Sequence, residues 1–173
     1  MIILVNGAFG VGKTTAAERL HSEIDNSMIY DPEMVGFLLR ELLPSDIKKQ
    51  ESPGGDFQDY HLWRTMVVDT ARHLKAQYGK HLIVPMTIRN HSYFTYITQG
   101  FQALDAATYS FCLTASKETI HNRLLGRGEE PGNWCFQQTD GCLEAYEKDY
   151  FGEKIVTENK SIDDVIEIIL SRI

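Results

Sequence analysis

The sequence has 173 residues, of which 43% are hydrophobic and 24% charged, as is typical of a soluble globular protein. Its formal net charge of -7 argues against broad nucleic-acid binding, which relies on basic surface. The 3 cysteines lack paired spacing, which indicates a reducing, cytoplasmic setting, and no apolar run approaches the roughly 20 residues that span a bilayer.

The first element is an apolar run over residues 2–5, which predicts a strand buried on both faces. It leads into a match to the phosphate-binding loop G-x-x-x-x-G-K-[ST], formed by Gly7, Ala8, Phe9, Gly10, Val11, Gly12, Lys13, Thr14 and Thr15. A helix is predicted from Thr15. A strand, a glycine-rich loop and a helix N-terminus aim backbone N–H groups at one anion. We expect this loop to bind ATP, with Lys13 on the β- and γ-phosphates and Thr14 as a Mg²⁺ ligand.

The next segments predict the acceptor side of a site, over about residues 31–79. A strand at 27–30 precedes a helix that opens at Asp31-Pro32-Glu33, with Asp31 as its cap, and ends near Leu43. Residues 45–56 are polar and contain Pro53-Gly54-Gly55, which predicts a mobile surface loop. Apolar residues then recur with helical spacing over 57–78, which predicts one long helix.

The second half of the chain continues the alternation of strands and helices. Strands are predicted at 82–86, 108–113 and 154–157, and helices at 91–101, from the Ser116 cap to Leu125, at 134–149 and after the Ser161 cap. Residues 126–131 are polar and glycine-rich, and the region of about 126–140 is a candidate lid.

Five short apolar strands alternating with helices predict a three-layer α/β/α fold with a five-stranded parallel sheet, as one P-loop kinase-like domain over 1–173. Ligands of such sheets bind beyond the carboxyl ends of the strands. The phosphate-binding loop, Asp31, Met86 and Ser116 all map to that edge.

Asp31 is the strongest candidate for chemistry outside the loop. A carboxylate just beyond the second strand can accept a proton from a substrate hydroxyl or hold Mg²⁺ through water. The alternative is that Asp31 is a helix cap and nothing more.

Arg123 and Arg127 form an R-x-x-x-R pair between a helix end and the candidate lid. Guanidinium groups suit the negative charge that phosphoryl transfer spreads over the transferred group. With Lys13 and Asp31 they make the expected catalytic set. The alternative for both arginines is a solvated helix face.

The acceptor is expected to contact residues on the helices and strand ends between the second and fourth strands. Arg40 and Arg64 are candidates to hold a polar or anionic substrate, with surface placement as the competing interpretation. Met86 and Tyr93 are further candidates, whereas Phe57, Tyr60 and Trp63 fit core packing better than a ligand shelf. The third strand ends at Met86-Thr87 without the usual Walker B aspartate, so that Mg²⁺ depends on Thr14, the phosphates and water, with Asp31 as a further candidate.

Several blocks make the chain resemble the tunicamycin-resistance ATP-binding proteins, a branch of the kinase-like P-loop proteins. They are residues 5–14, Tyr30-Asp31-Pro32-Glu33 with Gly36-Phe37 and Leu39-Arg40, Asp56-Phe57-Gln58 with Leu62-Trp63-Arg64, residues 82–88, and residues 115–119 with Arg123-Leu124. The resemblance implies a nucleoside-kinase-like fold, ATP binding and resistance to tunicamycin, a uracil nucleoside antibiotic with an acyl chain. It implies ATP-dependent modification or binding of the drug.

Two functional hypotheses follow for this chain. The first is a small-molecule kinase that uses MgATP, and the second is a protein that sequesters a nucleoside-like drug without chemistry. A nucleotide-dependent switch acting on a protein partner fits less well. The founding member of the family carries a C-terminal amphipathic helix that associates with membranes, but this sequence stops at Ile173, and membrane attachment is not expected.

Overall fold

The computed structural model describes residues 1–173, which form five strands and eight α-helices. The strands are β1 (Ile2–Gly7), β2 (Ser27–Ile29), β3 (His81–Met86), β4 (Thr108–Thr114) and β5 (Glu153–Val156). The helices are α1 (Lys13–Glu23), α2 (Glu33–Leu42), α3 (Ser45–Glu51), α4 (His61–Tyr78), α5 (His91–Leu104), α6 (Lys117–Gly126), α7 (Trp134–Tyr146) and α8 (Ile162–Leu170).

The five strands form one parallel sheet in the order β2-β3-β1-β4-β5. Strand β1 is central, and its apolar residues are fully buried because helices cover both faces of the sheet. Its end lies beside the ends of β3 and β4, with Asn6 opposite Met86 and Gly7 opposite Leu113. The predicted α/β class and five-stranded parallel sheet are confirmed.

The segment before the long helix α4 differs from the prediction of a loop. Residues Ser45–Glu51 form helix α3, after Pro44 enters in an extended conformation with φ -67° and ψ 157°. Asp46 in the first turn and lysines in the last turn complement the helix dipole. The Ser52 hydroxyl then donates a 2.7 Å hydrogen bond to the carbonyl of Asp56, which ties the remaining turn together. The prediction of a loop over 45–51 was therefore wrong.

The long helix predicted over residues 57–78 is interrupted at Tyr60, where ψ is 124°. Residues Phe57–Asp59 form a separate 3₁₀ turn, and the Gln58 side chain donates a 2.8 Å hydrogen bond to the carbonyl of Thr87. Phe57, Tyr60 and Trp63 are all buried, in agreement with the interpretation that they pack in the core, but Phe57 also lines a cavity.

Most other helix bounds agree with the sequence to within a few residues, and the differences concern helix ends. Helix α1 begins at Lys13 rather than Thr15, and α7 ends at Tyr146, short of 149. Helix α2 begins at Glu33, and the Asp31 carboxylate accepts a 2.9 Å hydrogen bond from its backbone N–H, as a capping residue does. None of the helices has the length and apolar character needed to cross a membrane.

Candidate functional site

The phosphate-binding loop leaves β1 at Gly7 and enters α1 at Lys13. Gly10 and Gly12 have φ of 80° and 108°, in the region that favours glycine. A Cβ atom at Gly10 would lie 2.8 Å from the Leu124 side chain, whereas one at Gly12 would meet no atom within 4 Å. The loop is thus packed against α6 on one side and open at Gly12, the N-cap of α1, where the helix dipole favours an anion.

The Lys13 ammonium lies across this loop. Its Nζ donates a 2.9 Å hydrogen bond to the carbonyl of Ala8 and sits 5.3 Å from the centroid of the Phe9 ring. Because burial disfavours the charged form, the pKa of Lys13 falls to about 8. A desolvated ammonium beside an open N-terminal cradle suits an anion. The exposed side chain of Thr14 faces the same space and could ligate a phosphate-bound Mg²⁺, so that the loop fits MgATP.

The space beside the loop is a cavity of about 420 Å³, large enough for a nucleotide. Residues 10–15 line one side. The opposite side is lined by Arg123, Arg127, Thr157, Lys160, Ser161, Ile162 and Val165. Only the two arginines of this wall were predicted from the sequence. The segment after β5 was missed, although the carboxyl end of a fifth parallel strand had to lie on the same edge.

The two arginines of this wall differ in their contacts. The Arg123 guanidinium donates to the carbonyl of Val11 at 3.0 Å, and to the hydroxyl and carbonyl of Thr157 at 2.8 and 3.0 Å. Arg123 therefore ties the phosphate-binding loop to the end of β5. Arg127 is exposed and forms a 3.5 Å ion pair with Glu129 at the cavity mouth.

A second cavity of about 480 Å³ borders Phe9 of the phosphate-binding loop, and we call it the acceptor cleft. It is lined by Phe9, Glu33, Phe37, Arg40, Gly55, Asp56, Phe57, Gln58, Met86 and Trp134. Of the expected substrate residues, Arg40 and Met86 line this cleft. The Arg40 guanidinium lies 5.0 Å from the Phe57 ring centroid and donates to the carbonyl of Gly55 at 3.1 Å. The cleft combines aromatic walls with a few polar groups, as small-molecule sites do.

Three other expected substrate residues lie outside the lining of the acceptor cleft. Asp31 does not line the cleft, and its carboxylate accepts a hydrogen bond from the backbone N–H of Glu33. The Arg64 guanidinium covers the Tyr93 ring at 4.3 Å, and the Tyr93 hydroxyl donates to the Asp59 carboxylate at 3.0 Å. Tyr93 lines a neighbouring cavity instead.

Glu33 and Trp134 line the acceptor cleft but were missed as site residues. Burial, with Asp31 nearby, raises the pKa of Glu33, and the Glu33 and Lys13 charges act on each other. In the sequence, a structural role in the first helical turn explains Glu33, so nothing there indicates that its side chain lines the cleft. Trp134 is predicted within a helix, but the pattern does not show which loop that helix faces.

The exit of β3 is held by buried polar contacts instead of carrying a Walker B carboxylate. The Asn6 side chain donates to the carbonyl of Ile88 at 3.0 Å and accepts from its N–H at 2.8 Å, and the Tyr146 hydroxyl donates to Asn6 at 3.2 Å. The buried hydroxyl of Thr87 has no hydrogen-bond partner. No group of three His, Cys, Asp or Glu side chains is arranged to hold a metal ion, so a bound Mg²⁺ would depend on Thr14 and on phosphate oxygens.

The phosphate-binding loop and the parallel sheet behind it lie within a stretch that matches a known family. Residues 3–161 match the AAA domain family. The chain belongs to this family. No curated protein sequence matches this AAA-domain chain at a significant level.

Solved structures extend the relationship over almost the whole AAA-domain chain. The tunicamycin resistance protein of Deinococcus radiodurans is 27% identical, with a TM-score of 0.78 over 99% of this chain and 94% of that chain. A sugar kinase from Janibacter is 20% identical, with a TM-score of 0.70 over 98% and 92%. Shikimate kinase from Acinetobacter baumannii is 16% identical, with a TM-score of 0.59 over 99% and 91%, and shares the fold. The predicted resemblance to tunicamycin-resistance proteins is confirmed.

Proposed function

We propose that this protein is a cytoplasmic kinase that transfers a phosphoryl group from MgATP to a hydroxyl of a nucleoside-type compound such as tunicamycin, and so inactivates it. The observation that carries this proposal is that the phosphate-binding loop contributes residues to the linings of both cavities. Lys13 lines the nucleotide cavity, Phe9 lines the acceptor cleft, and the charge of Glu33 in the cleft acts on Lys13. An acceptor in the cleft therefore lies next to the lysine that neutralises the phosphates.

MgATP supplies the transferable phosphoryl group. The loop N–H groups and Lys13 hold the phosphates, and the Thr14 hydroxyl holds the metal. Arg123 keeps the loop in place, and Arg127 closes over the cavity mouth to stabilise the charge that develops during transfer.

A carboxylate must take the proton of the acceptor hydroxyl. Asp31 is the base expected from the sequence, and Glu33 is a second candidate. The raised pKa of Glu33 brings it toward the range that suits a general base, and its side chain lines the cleft. In either assignment the proton is taken at the start of α2.

The relatives support the class of reaction and suggest the acceptor. Their shared fold includes small-molecule kinases, such as the sugar kinase and shikimate kinase. Tunicamycin is the suggested acceptor because the Deinococcus radiodurans protein, at 27% identity, is a tunicamycin resistance protein.

Sequestration of the drug without chemistry is the second candidate function. It is favoured by the uncharged Thr87 at the exit of β3 and by the Arg123 guanidinium, which is engaged by Val11 and Thr157 rather than free for phosphate. A protein with these features can use bound nucleotide to order the lid and retain the drug.

Mass spectrometry of tunicamycin after incubation with the protein and MgATP separates the two functions. The kinase proposal predicts a product heavier by one phosphoryl group, formed only with MgATP and not with a non-hydrolysable ATP analogue. Unchanged drug that co-purifies with the protein in the presence of either nucleotide would contradict transfer and support sequestration.

A further inference from the structure

A third cavity, of about 280 Å³, opens beside the acceptor cleft, between the Phe57–Asp59 turn and the start of α7. It is lined by Gly54, Asp56, Gln58, Asp59, Arg89, Asn90, Tyr93, Trp134 and Gln138. It shares Asp56, Gln58 and Trp134 with the acceptor cleft, and a small pocket of about 20 Å³ has the same three residues in its lining. The cleft therefore has a polar extension, which we call the Arg89 subsite.

Arg89 is the only cationic side chain in this lining, and it takes part in none of the ion pairs of the protein. Helix α7 makes room for it at Gly141, where a Cβ atom would lie 2.7 Å from Nη1 of Arg89. A glycine inside a helix costs about 1 kcal/mol relative to alanine. The glycine at this position lets the guanidinium rest against α7 beside the cavity.

Thr87 provides a second polar group without a partner. The residue is only 4% exposed, its hydroxyl has no hydrogen bond, and it lines the small pocket of about 20 Å³. A pocket of this size holds one water-sized group. Because a buried hydroxyl without a partner is costly, a polar atom of a ligand or a water is expected against it.

The charges around the subsite decide what kind of group fits. Asp56 and Asp59 place carboxylates in the same lining as Arg89, so that the carboxylates repel an anion and the guanidinium repels a cation. A purely apolar group would leave Arg89 and Gln138 without hydrogen bonds. Trp134, which is 53% exposed, adds a flat apolar surface at the entrance. Donors, acceptors and an aromatic face together suit a neutral ring that carries several hydroxyl groups.

We propose that the Arg89 subsite binds a neutral polyhydroxylated ring, such as a glycosyl group, and that Arg89 is a specificity-determining residue for it. The assignment of this ring to the acceptor rests on the proposed function, because the subsite opens into the acceptor cleft. The acceptor then spans both cavities, with its reactive hydroxyl near Glu33 and its glycosyl part beyond Trp134.

Tryptophan fluorescence can follow binding directly, because Trp134 borders the subsite while the second tryptophan, Trp63, is fully buried. N-acetylglucosamine serves as the neutral probe, glucuronate as the anionic one and glucosamine as the cationic one. We expect saturable binding of N-acetylglucosamine at millimolar concentration and weaker binding of both charged sugars.

Two variants test the role of Arg89 by different routes. Arg89→Ala removes the guanidinium, whereas Gly141→Ala keeps the charge and displaces it from its notch, while favouring the helix. Arg89→Ala should weaken N-acetylglucosamine binding about tenfold or more, because hydrogen bonds to a charged donor are lost. Gly141→Ala should weaken it by a smaller factor, because the flexible end of Arg89 shifts but keeps its charge. The matched control is Arg72→Ala, at an exposed arginine that pairs with Asp69 on α4, and this variant should bind normally.

Absence of saturable N-acetylglucosamine binding, tighter binding of glucuronate or glucosamine, or unchanged binding by both folded variants would overturn the proposal. Thermal melting of each variant checks the fold. MgATP affinity, measured on the same samples, should be unchanged by Arg89→Ala. Loss of sugar binding with intact phosphoryl transfer to tunicamycin would leave the kinase proposal standing, whereas sugar binding without transfer would count against the kinase proposal alone.

Discussion

The ring of Trp134 meets the ring of Phe9 edge to face, with 4.9 Å between their centroids and 66° between their planes. This contact joins the start of α7 to the phosphate-binding loop, and residues 126–132 lie immediately before it. A ligand that orders the loop should therefore also order the candidate lid, because aromatic pairs contribute about 0.5–1.5 kcal/mol beyond burial.

We predict that residues 126–132 exchange their amide hydrogens quickly in the free protein and gain protection when MgATP and tunicamycin bind together. Trp134→Ala should reduce that gain, while Trp134→Phe should keep most of it. Full protection of these amides in the free protein would rule out a gating lid.

Arg123 should act on stability as well as on nucleotide binding, because it holds Val11 and Thr157 with three hydrogen bonds. We expect Arg123→Ala to lower the free energy of unfolding by about 1–3 kcal/mol and to weaken MgATP binding. Arg123→Lys should recover little, since an ammonium cannot reproduce the planar fork.

The control for Arg123 is Arg19→Ala. Arg19 is an exposed residue with ion pairs to Glu23 and Asp163, and its loss should change stability by less than about 0.5 kcal/mol. Urea unfolding measures both variants. Unchanged stability of Arg123→Ala together with lost transfer activity would instead make Arg123 a direct phosphate contact.

Asp31 and Glu33 can be separated as candidate bases by isosteric amides. Asp31→Asn retains much of the cap on the Glu33 N–H, so stability should change by less than about 1 kcal/mol. Whichever of Asp31→Asn and Glu33→Gln removes the base should lower the transfer rate by roughly 10²–10⁴-fold, at nearly unchanged MgATP affinity. Full transfer activity in both variants would leave the mechanism without its base.

The lowered pKa of Lys13 makes nucleotide binding depend on pH. In the free protein Lys13 loses its proton at about pH 8, and bound phosphates favour the charged form and raise that pKa. MgATP binding near pH 8–9 should therefore take up a proton, which calorimetry in buffers of different ionisation enthalpy detects. Lys13→Met should abolish this uptake, and an equal uptake in the variant would assign the proton elsewhere.

The same lowered pKa affects folding of the free protein. The unfolded chain binds the Lys13 proton more tightly, because the pKa of an ordinary solvated lysine is 10.5 and that of Lys13 in the fold is about 8. The Lys13 ammonium therefore destabilises the fold, and this contribution has its full size below about pH 8. That contribution disappears as the pH rises toward 10.5, so stability from this group increases with pH in that window.

Local patterns in the sequence predict the sheet and the nucleotide loop well. The strand before Gly7 and the glycines before Lys13 are defined by residues that are close in sequence. Their geometry therefore follows from local backbone chemistry. Helix α3 was missed because all its residues except Ile47 are polar and none of them is buried, which leaves no apolar periodicity to detect.

The acceptor side was harder to predict because it depends on contacts between distant segments. Trp134 borders the cleft, where its ring packs against Phe9, and Arg89 lies beside its subsite because Gly141 leaves room on α7. Asp31 and Glu33 are two residues apart in a helix opening, and the direction of each side chain decided which one lines the cleft.

MgATP affinity of Lys13→Ala, compared with the wild type by calorimetry, tests the central claim most directly, because every proposed step begins at the phosphate-binding loop. The matched control is Lys117→Ala, which removes an exposed lysine paired with Asp140. For Lys13→Ala we predict a melting temperature no lower than that of the wild type, because the desolvated ammonium destabilises the fold at neutral pH. We also predict a loss of affinity of more than tenfold, since a lost charged contact costs roughly 1.5–3 kcal/mol, and a normal affinity for the control. An affinity of Lys13→Ala within about threefold of the wild type would contradict the assignment of this loop as the nucleotide site.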